Sequence, residues 1–182
     1  MKKIITLSLV ASAIVLSAFT LATLWKADEK ASTVAWRMPN GNKAGTFSGL
    51  TSTINFDKAN LADSKILASI DVKTVKAGNE KLEAHLLTAD FFDAEKFPKI
   101  TFTSTKITAK DAGFIAQGTL NMKDSTKVIT LPFTFTEKDK TTGVFNGTIT
   151  IAASDYGVTK KKADGKPGAD DVEIVLTVPV TK

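Results

Sequence analysis

Residues 113–138 read GFIAQGTLNMKDSTKVITLPFTFTEK, and apolar and polar residues alternate along both halves of this stretch. One face of the first half carries Phe114, Ala116, Gly118, Leu120 and Met122. One face of the second half carries Ile129, Leu131, Phe133 and Phe135. Residues 123–126, KDST, have the composition of a hairpin turn. A period of two indicates half-buried β-strands, so the stretch predicts an antiparallel hairpin with one apolar face.

The same period continues on both sides of this hairpin. The segments that show it are STVAWRM (32–38), STINFD (52–57), KILASIDVK (65–73), KITFTSTK (99–106), VFNGTITIAAS (144–154) and DVEIVLTVPVTK (171–182). Turn-forming residues separate several of them, among them 110–113, 140–143 and the longer ADGKPGADD loop. Eight consecutive strands with one apolar face predict an all-β, eight-stranded antiparallel up-and-down barrel, because closure removes exposed sheet edges.

One segment between the strands predicts a helix. Asn79 is a suitable N-cap, and Glu80 and Glu83 suit the positive end of a helix dipole. Leu86 lies on its apolar face, and Pro98 prevents any continuation toward the next strand. The barrel is therefore expected to carry one short helical cap, beginning near Glu80, which closes one side like a lid.

The N-terminal segment predicts export. Lys2 and Lys3 precede an apolar run from Ile4 to Trp25, as in a secretory signal peptide. Residues 1–27 are assigned to this signal and residues 28–182 to a single domain, with cleavage expected after Ala22 or Ala27. An uncleaved anchor helix is the alternative, because the run is long. The domain is expected in the periplasm or outside the cell.

Composition restricts the chemistry. The chain of 182 residues has a formal charge of +5 and no basic face with interleaved aromatic residues, which argues against nucleic acid as a partner. The absence of cysteine excludes disulfides and thiolate metal sites. His85 is the only histidine and no serine lies in a GxSxG motif, so neither catalytic nor metal-binding residues are assigned, and the protein is not expected to be an enzyme. Lys160–Lys162 are either a solvated loop or a transient contact with an anionic membrane surface.

The apolar faces contain small residues at intervals. They are Ser52, Ala68, Ser104, Ala116, Gly118 and Gly147. An eight-stranded barrel is just wide enough to be filled by its own side chains or to hold one small ligand. If the small residues lie together, they leave an apolar void for a lipid chain; if they only follow the taper of the barrel, the interior is solid. The pattern alone does not decide between these alternatives.

A longer motif resembles a known family. GNEKLEAHLLTADFFDAEKFPKITFTSTKI, from Gly78 to Ile107, is similar to the signature of the YceI-like family of secreted polyisoprenoid-binding proteins. The similarity includes the Gly-Asn-x-Lys start, the His-Leu step, Asp-Phe-Phe-Asp, the aromatic residue before Pro98, and Ile-Thr-Phe-x-Ser. The flanking segments FSGLTSTINFD, GTLNMKDSTKVITLPFTF and SDYGV also resemble the family, so the similarity extends from about Thr33 to Val180.

The resemblance implies a lipocalin-like barrel that holds a polyisoprenoid or isoprenoid-quinone lipid, for carriage, storage or sequestration. The lipid is the expected partner, it is bound non-covalently, and no other cofactor is expected. The oligomeric state is not determined by the sequence, and a dimer is one option. Two alternatives remain: an enzyme that acts on such a lipid through His85 with Asp90 or Asp93, and a solid-core structural or interaction barrel.

Nineteen residues of the predicted interior and lid are expected to contact the ligand. They are Trp36, Ile54, Phe56, Ala68, Ile70, His85, Leu86, Phe91, Phe92, Ile100, Phe102, Ala116, Gly118, Leu120, Phe133, Phe135, Ile149, Tyr156 and Leu176.

Overall fold

A computed structural model describes residues 23–39, 43–159 and 171–182. These residues form ten strands, one α-helix (α1, Glu80–Leu86) and two short 3-10 helices, Val72–Thr74 and Ala153–Tyr156. The strands are β1 (Leu24–Ala27), β2 (Thr33–Arg37), β3 (Ala44–Phe47), β4 (Thr51–Asn55), β5 (Lys65–Asp71), β6 (Lys99–Lys110), β7 (Gly113–Met122), β8 (Ser125–Glu137), β9 (Thr142–Ala152) and β10 (Asp171–Thr181).

The ten strands form one closed antiparallel sheet. From β4 to β10 each strand pairs with the next along the chain. β1 and β2 both pair with β10, at different points along its length, and β3 and β4 pair with β2 and β1 respectively. β1 and β2 lie one after the other beside β10 and together count as one strand of the barrel, and β3 and β4 together count as the next. The ten strands therefore form an eight-stranded barrel. The predicted fold class is confirmed, and so is the hairpin, in which Met122 on β7 pairs with Ser125 on β8.

Two strands were not predicted, β1 and β3. β1 falls in the apolar run assigned to the signal peptide, yet Trp25 is only 2% exposed and donates its Nε1–H to the Phe56 carbonyl oxygen at 3.0 Å. Residues 24–27 therefore form part of the barrel, because β1 closes it between β4 and β10. The rest of the predicted signal, residues 1–22, lies outside the described residues, as do Lys160–Lys162.

The lid is the connection between β5 and β6 that contains α1. As predicted, the Asn79 side chain caps the helix, accepting the Leu82 N–H at 3.1 Å. The Glu83 carboxylate accepts the Ala77 N–H at 2.9 Å and pairs with the Lys76 ammonium at 3.1 Å. These contacts, the Ala77 N–H first, lower the pKa of Glu83. None of the helices in the described ranges is long and apolar enough to cross a membrane.

A cluster of aromatic rings fills the opposite end of the barrel. Phe56 lies at its centre and is 1% exposed. Its ring meets four others edge to face, with centroid separations of 5.0 to 5.6 Å; they belong to Phe114, Phe133, Phe135 and Phe145. Trp25 extends the cluster through Phe135, at 4.9 Å. We call these six residues the aromatic plug, since their rings pack against one another at this end of the barrel.

Candidate functional site

An apolar cavity of about 230 Å³ lies between the aromatic plug and the lid. Its walls are built by residues from β2 to β10, and Leu86 and Phe92 of the lid complete them. An engineered apolar cavity of about 150 Å³ stays dry and binds benzene. The interior of this barrel is therefore hollow above the plug, which answers the question that the small residues left open.

Twelve of the nineteen predicted residues line this cavity. They are Trp36, Ile54, Ala68, Ile70, Leu86, Phe92, Ile100, Phe102, Leu120, Phe133, Ile149 and Leu176. Of the six small residues, Ser52, Ala68 and Gly147 also line it. Alternation predicts the inward face of those that lie on strands, because successive side chains point to opposite faces of the sheet; Leu86 and Phe92 lie on the lid.

Four predicted residues lie inside the barrel but do not line the cavity. Phe56 and Phe135 belong to the aromatic plug, and Ala116 is completely buried. Gly118 is on the inner face, but the space beside it is taken: an added Cβ would overlap the Thr103 carbonyl oxygen and lie 2.8 Å from Ser104 Cα. A register shift in β6 between Ser104 and Lys106 accompanies this close approach. These four positions lie inside the barrel without forming part of the cavity wall.

Three predicted residues near the lid also lie away from the cavity wall. His85 is exposed on the last turn of α1, and its ring meets that of Phe91 edge to face at 4.8 Å. Tyr156 is 1% exposed at the end of a 3-10 helix, and burial raises the pKa of its phenol. The cavity wall does not include any of the three, so Phe92, and not Phe91, is the lid aromatic residue that faces the cavity.

Several cavity residues were not in the predicted set. Those on the alternating apolar faces could have been found from the same pattern: Ile66, Met122, Ile129, Leu131, Phe145, Gly147, Ile151, Ile174 and Val178. Ser52 was predicted on an apolar face, as one of the small residues, but was not in the predicted set. Others depend on tertiary structure, since they come from the unpredicted β3, from loops, or from strand positions without a clear alternating pattern: Val34, Phe47, Leu50, Asn146, Ala153, Val158 and Val172.

The cavity wall is uncharged and almost free of polar groups. No Asp, Glu, Lys, Arg or His is among the described residues that line it. Two polar atoms on lining residues are buried without a hydrogen-bond partner, Trp36 Nε1 and Ser52 Oγ. Elsewhere in the described chain no group of three or more His, Cys, Asp or Glu residues could hold a metal ion. The arrangement can enclose an apolar molecule, and His85 is not placed to act on it.

Contacts on two sides of the cavity hold the lid on the barrel. Thr46 of β3 exchanges backbone hydrogen bonds with Lys76, at 2.9 and 2.7 Å. The Phe92 ring meets the Phe47 ring edge to face, at 5.8 Å between centroids. From the β7–β8 turn, Lys123 Nζ donates to the Ala89 carbonyl oxygen at 3.0 Å. The lid is thus attached to strands on two sides of the cavity.

Residues 25–180 match the model of the YceI-like domain. The chain belongs to the YceI-like family. A relative from Ectopseudomonas mendocina, a UPF0312 protein, is 30% identical over 140 residues, which are 74% of this chain and 72% of the relative. The match begins at Trp25, within β1.

Two solved structures resemble the barrel of this YceI-like chain. BcnA from Burkholderia cenocepacia has a TM-score of 0.76 and 25% identity, covering 85% of this chain and 99% of BcnA. A polyisoprenoid binding domain from Saccharophagus degradans has a TM-score of 0.63 and 13% identity, covering 86% of this chain and 97% of that domain. At that identity the second likeness supports the fold alone.

Proposed function

We propose that this YceI-like protein is a periplasmic or secreted binding protein that holds a polyisoprenoid or isoprenoid-quinone lipid inside its barrel. The observation that carries the proposal is the uncharged cavity of about 230 Å³ between the aromatic plug and the lid. The bound lipid is carried, stored or sequestered, and the proposal includes no catalytic step.

The energetics of the cavity support a ligand. At about 24 cal/mol per Å³, leaving a cavity of this size empty costs on the order of 5 kcal/mol of stability. Each CH₂ group of a chain that enters contributes about 0.8 kcal/mol of transfer free energy. An apolar chain therefore binds without any charged or catalytic contact, and its occupancy offsets the cost of the hollow interior.

The shape of the wall favours a branched, flexible chain. Branched and aromatic side chains line the cavity from several strands, with the small residues Ala68 and Gly147 among them. The methyl branches of an isoprenoid fit such an irregular wall. The polyisoprenoid binding domain of Saccharophagus degradans has the same fold, which is compatible with this ligand class.

The position of the lid indicates the end of the barrel at which a long lipid chain enters. The aromatic plug fills one end of the barrel, so entry is proposed at the other end, past Leu86 and Phe92. A chain longer than the cavity then extends outward beneath the lid. The signal-like segment at residues 1–22 agrees with a place outside the cytoplasm, where such lipids are exchanged with membranes.

Native mass spectrometry with lipid extraction tests the proposal. The full chain is expressed in a bacterium and purified, and its mass is measured before and after organic extraction. We expect an additional mass that disappears on extraction, and a polyisoprenoid or quinone in the extract. A protein that carries only its own mass, and that takes up no polyisoprenoid quinone from vesicles after extraction, would support an interaction barrel that holds no lipid instead.

A further inference from the structure

The barrel wall is not hydrogen-bonded along the whole of β8 and β9. Their pairing ends with Phe133 opposite Gly147. Beyond that point, residues 125–132 of β8 pair with β7 and residues 148–152 of β9 pair with β10, but the two segments do not pair with each other. The strands therefore separate over the halves that lie nearer the lid. We call the gap between residues 125–132 and 148–152 the split.

The sequence beside the split is uncharged. Pro132 is the first residue of β8 beyond the last pair, and it has no backbone N–H to donate to a neighbouring strand. Residues 128–136 and 142–154 contain no charged side chain. Val128, at the β8 edge, is 70% exposed. Unpaired strand edges are commonly protected by charged residues, and these two edges are not.

The cavity extends to the outer side of the wall at the split. Cavity residues lie on both of its edges; they are Ile129, Leu131, Ile149 and Ile151. Asn146 also lines the cavity, although it is exposed and alternates with the inward residues Phe145 and Gly147. Gly147 has no side chain to separate the two faces of the sheet. The interior is therefore closest to the surface where the β8–β9 pairing ends.

A short helix covers the split in place of a strand. The 3-10 helix Ala153–Tyr156 follows β9 directly and lies against β8. Just after this helix, the Gly157 carbonyl oxygen accepts a hydrogen bond from Lys123 Nζ at 3.3 Å, and the same ammonium donates to Ala89 of the lid at 3.0 Å. Elements held by side-chain contacts open at a lower free-energy cost than paired core strands, so this part of the wall is the easiest to open.

We infer that the split is a side portal, through which a bound apolar chain passes between β8 and β9 into the hydrocarbon of a membrane. The inference rests on the proposed lipid-binding function and adds to it a surface that faces the membrane. Because Lys123 contacts both elements, the 3-10 helix and the lid open together, and the entry beside the lid widens sideways into the split. The uncharged edges suit this partner, since placing a charged side chain in a membrane is costly.

Cross-linking across the split tests the portal. The chain has no cysteine, so thiols can be introduced at chosen positions. Thr130→Cys with Thr150→Cys places two exposed thiols on opposite edges of the split, and Thr136→Cys with Val144→Cys is the control at a paired position of the same strands. Each lipid-loaded variant is treated with a short bis-maleimide, or with N-ethylmaleimide to control for added bulk. Release of a fluorescent polyisoprenoid to phosphatidylcholine vesicles is then measured.

We expect the linked split to release lipid about tenfold more slowly than the same variant capped with N-ethylmaleimide, a barrier increase of about 1.4 kcal/mol. The linked control pair should release at the rate of its capped form. Unchanged release from the linked split, or equal slowing by both links, would overturn the portal while leaving lipid binding intact. Failure of every variant and of the wild type to hold lipid would instead reject the proposed function.

Thr150→Asp decides the question if the linker does not bridge the two thiols. It places a charge on the edge of the split and should slow transfer to the same vesicles to a similar degree. Thr53→Asp, at an exposed position on β4, is its control and should transfer like the wild type. Wild-type transfer by a folded Thr150→Asp variant would contradict passage of the lipid through this part of the wall.

Discussion

The Phe92 ring on the lid meets the Phe47 ring on β3 edge to face, with 5.8 Å between their centroids, and both side chains line the cavity. This pair joins the lid to the barrel wall at the surface that a bound lipid would touch. Opening the lid must separate the two rings. The pair is therefore expected to control how quickly the cavity exchanges its contents.

Phe92→Ala should accelerate lipid release. Aromatic pairs contribute about 0.5–1.5 kcal/mol beyond burial, so loss of this contact should raise the rate of release about tenfold. Transfer of a fluorescent polyisoprenoid from the protein to vesicles, followed in a stopped-flow instrument, gives the rate. His85→Ala is the matched control on the exposed side of the lid, and it should keep both the fold and most of the bound lipid. Equal rates for Phe92→Ala and the wild type would show that the lid does not limit release.

Gly118→Ala should destabilise the barrel whether or not lipid is bound. An added methyl group meets the backbone of Thr103 and Ser104, which cannot move aside as a side chain would. Overpacking of this kind costs about 3 kcal/mol. Urea unfolding of extracted and lipid-loaded protein measures it. An unchanged unfolding free energy would mean that the β6 backbone yields easily at the register shift.

The position of β1 predicts where the proposed signal segment is cleaved. Cleavage after Ala22 leaves Trp25 in place, whereas cleavage after Ala27 removes the whole strand. Loss of a buried Trp side chain alone costs about 3–5 kcal/mol. We expect N-terminal sequencing of the exported protein to give Thr23, and a chain that begins at Asp28 to unfold at a lower urea concentration. An exported protein that begins at Asp28 and is equally stable would contradict the role assigned to β1.

The β8–β9 turn predicts a specific loss of stability in acid. The Asp139 carboxylate accepts hydrogen bonds from the side chains and backbone N–H groups of Thr141 and Thr142, which lower its pKa from 3.8 to about 2. Since the pKa is depressed in the folded state, its stabilisation is present above pH 4 and is lost as the pH falls toward 2.

Asp139→Asn tests this effect because the amide oxygen still accepts hydrogen bonds but carries no charge. The difference in urea midpoint between the wild type and this variant should be largest above pH 4 and shrink toward pH 2. Asp124→Asn, at a turn carboxylate that accepts one Ser125 hydroxyl at 3.3 Å, is the control and should change less. A difference for Asp139→Asn that stays constant from pH 6 to pH 2 would exclude the charge as its cause.

The alternating pattern predicted the barrel because each long strand has one face toward the core. β1 was not predicted because Trp25 ends an apolar run that resembles a signal peptide. β3 was not predicted because AGTF is only four residues long and contains Gly45. Neither strand carries enough alternation to be distinguished by itself. Both are specified by pairing with partners far away along the chain, such as Trp25 with Ile54.

The alternating pattern also limits what can be predicted about the residues that line the cavity. Alternation gives the face of a residue but not its height in the barrel or the space beside it. Phe56 and Phe102 both point inward, yet Phe56 lies in the aromatic plug and Phe102 on the cavity wall. At Gly118 the β6 backbone lies close by, next to the register shift in β6, and leaves no space beside the glycine. No local pattern in β7 indicates that shift.

Filling the cavity from its wall tests the central claim most directly. Ala68 lines the cavity on β5, and Ala68→Leu places three more carbon atoms in the space assigned to lipid. Thr53→Leu is the control, because it introduces the same side chain at an exposed position on the neighbouring strand β4. The measurement is the affinity of each extracted variant for a polyisoprenoid quinone, with thermal unfolding of the empty protein beside it. We predict that Ala68→Leu lowers affinity at least tenfold while the empty protein unfolds at or above the wild-type temperature, and that Thr53→Leu binds like the wild type. A folded Ala68→Leu variant with wild-type affinity would contradict the account, because the lipid would then lie outside the barrel.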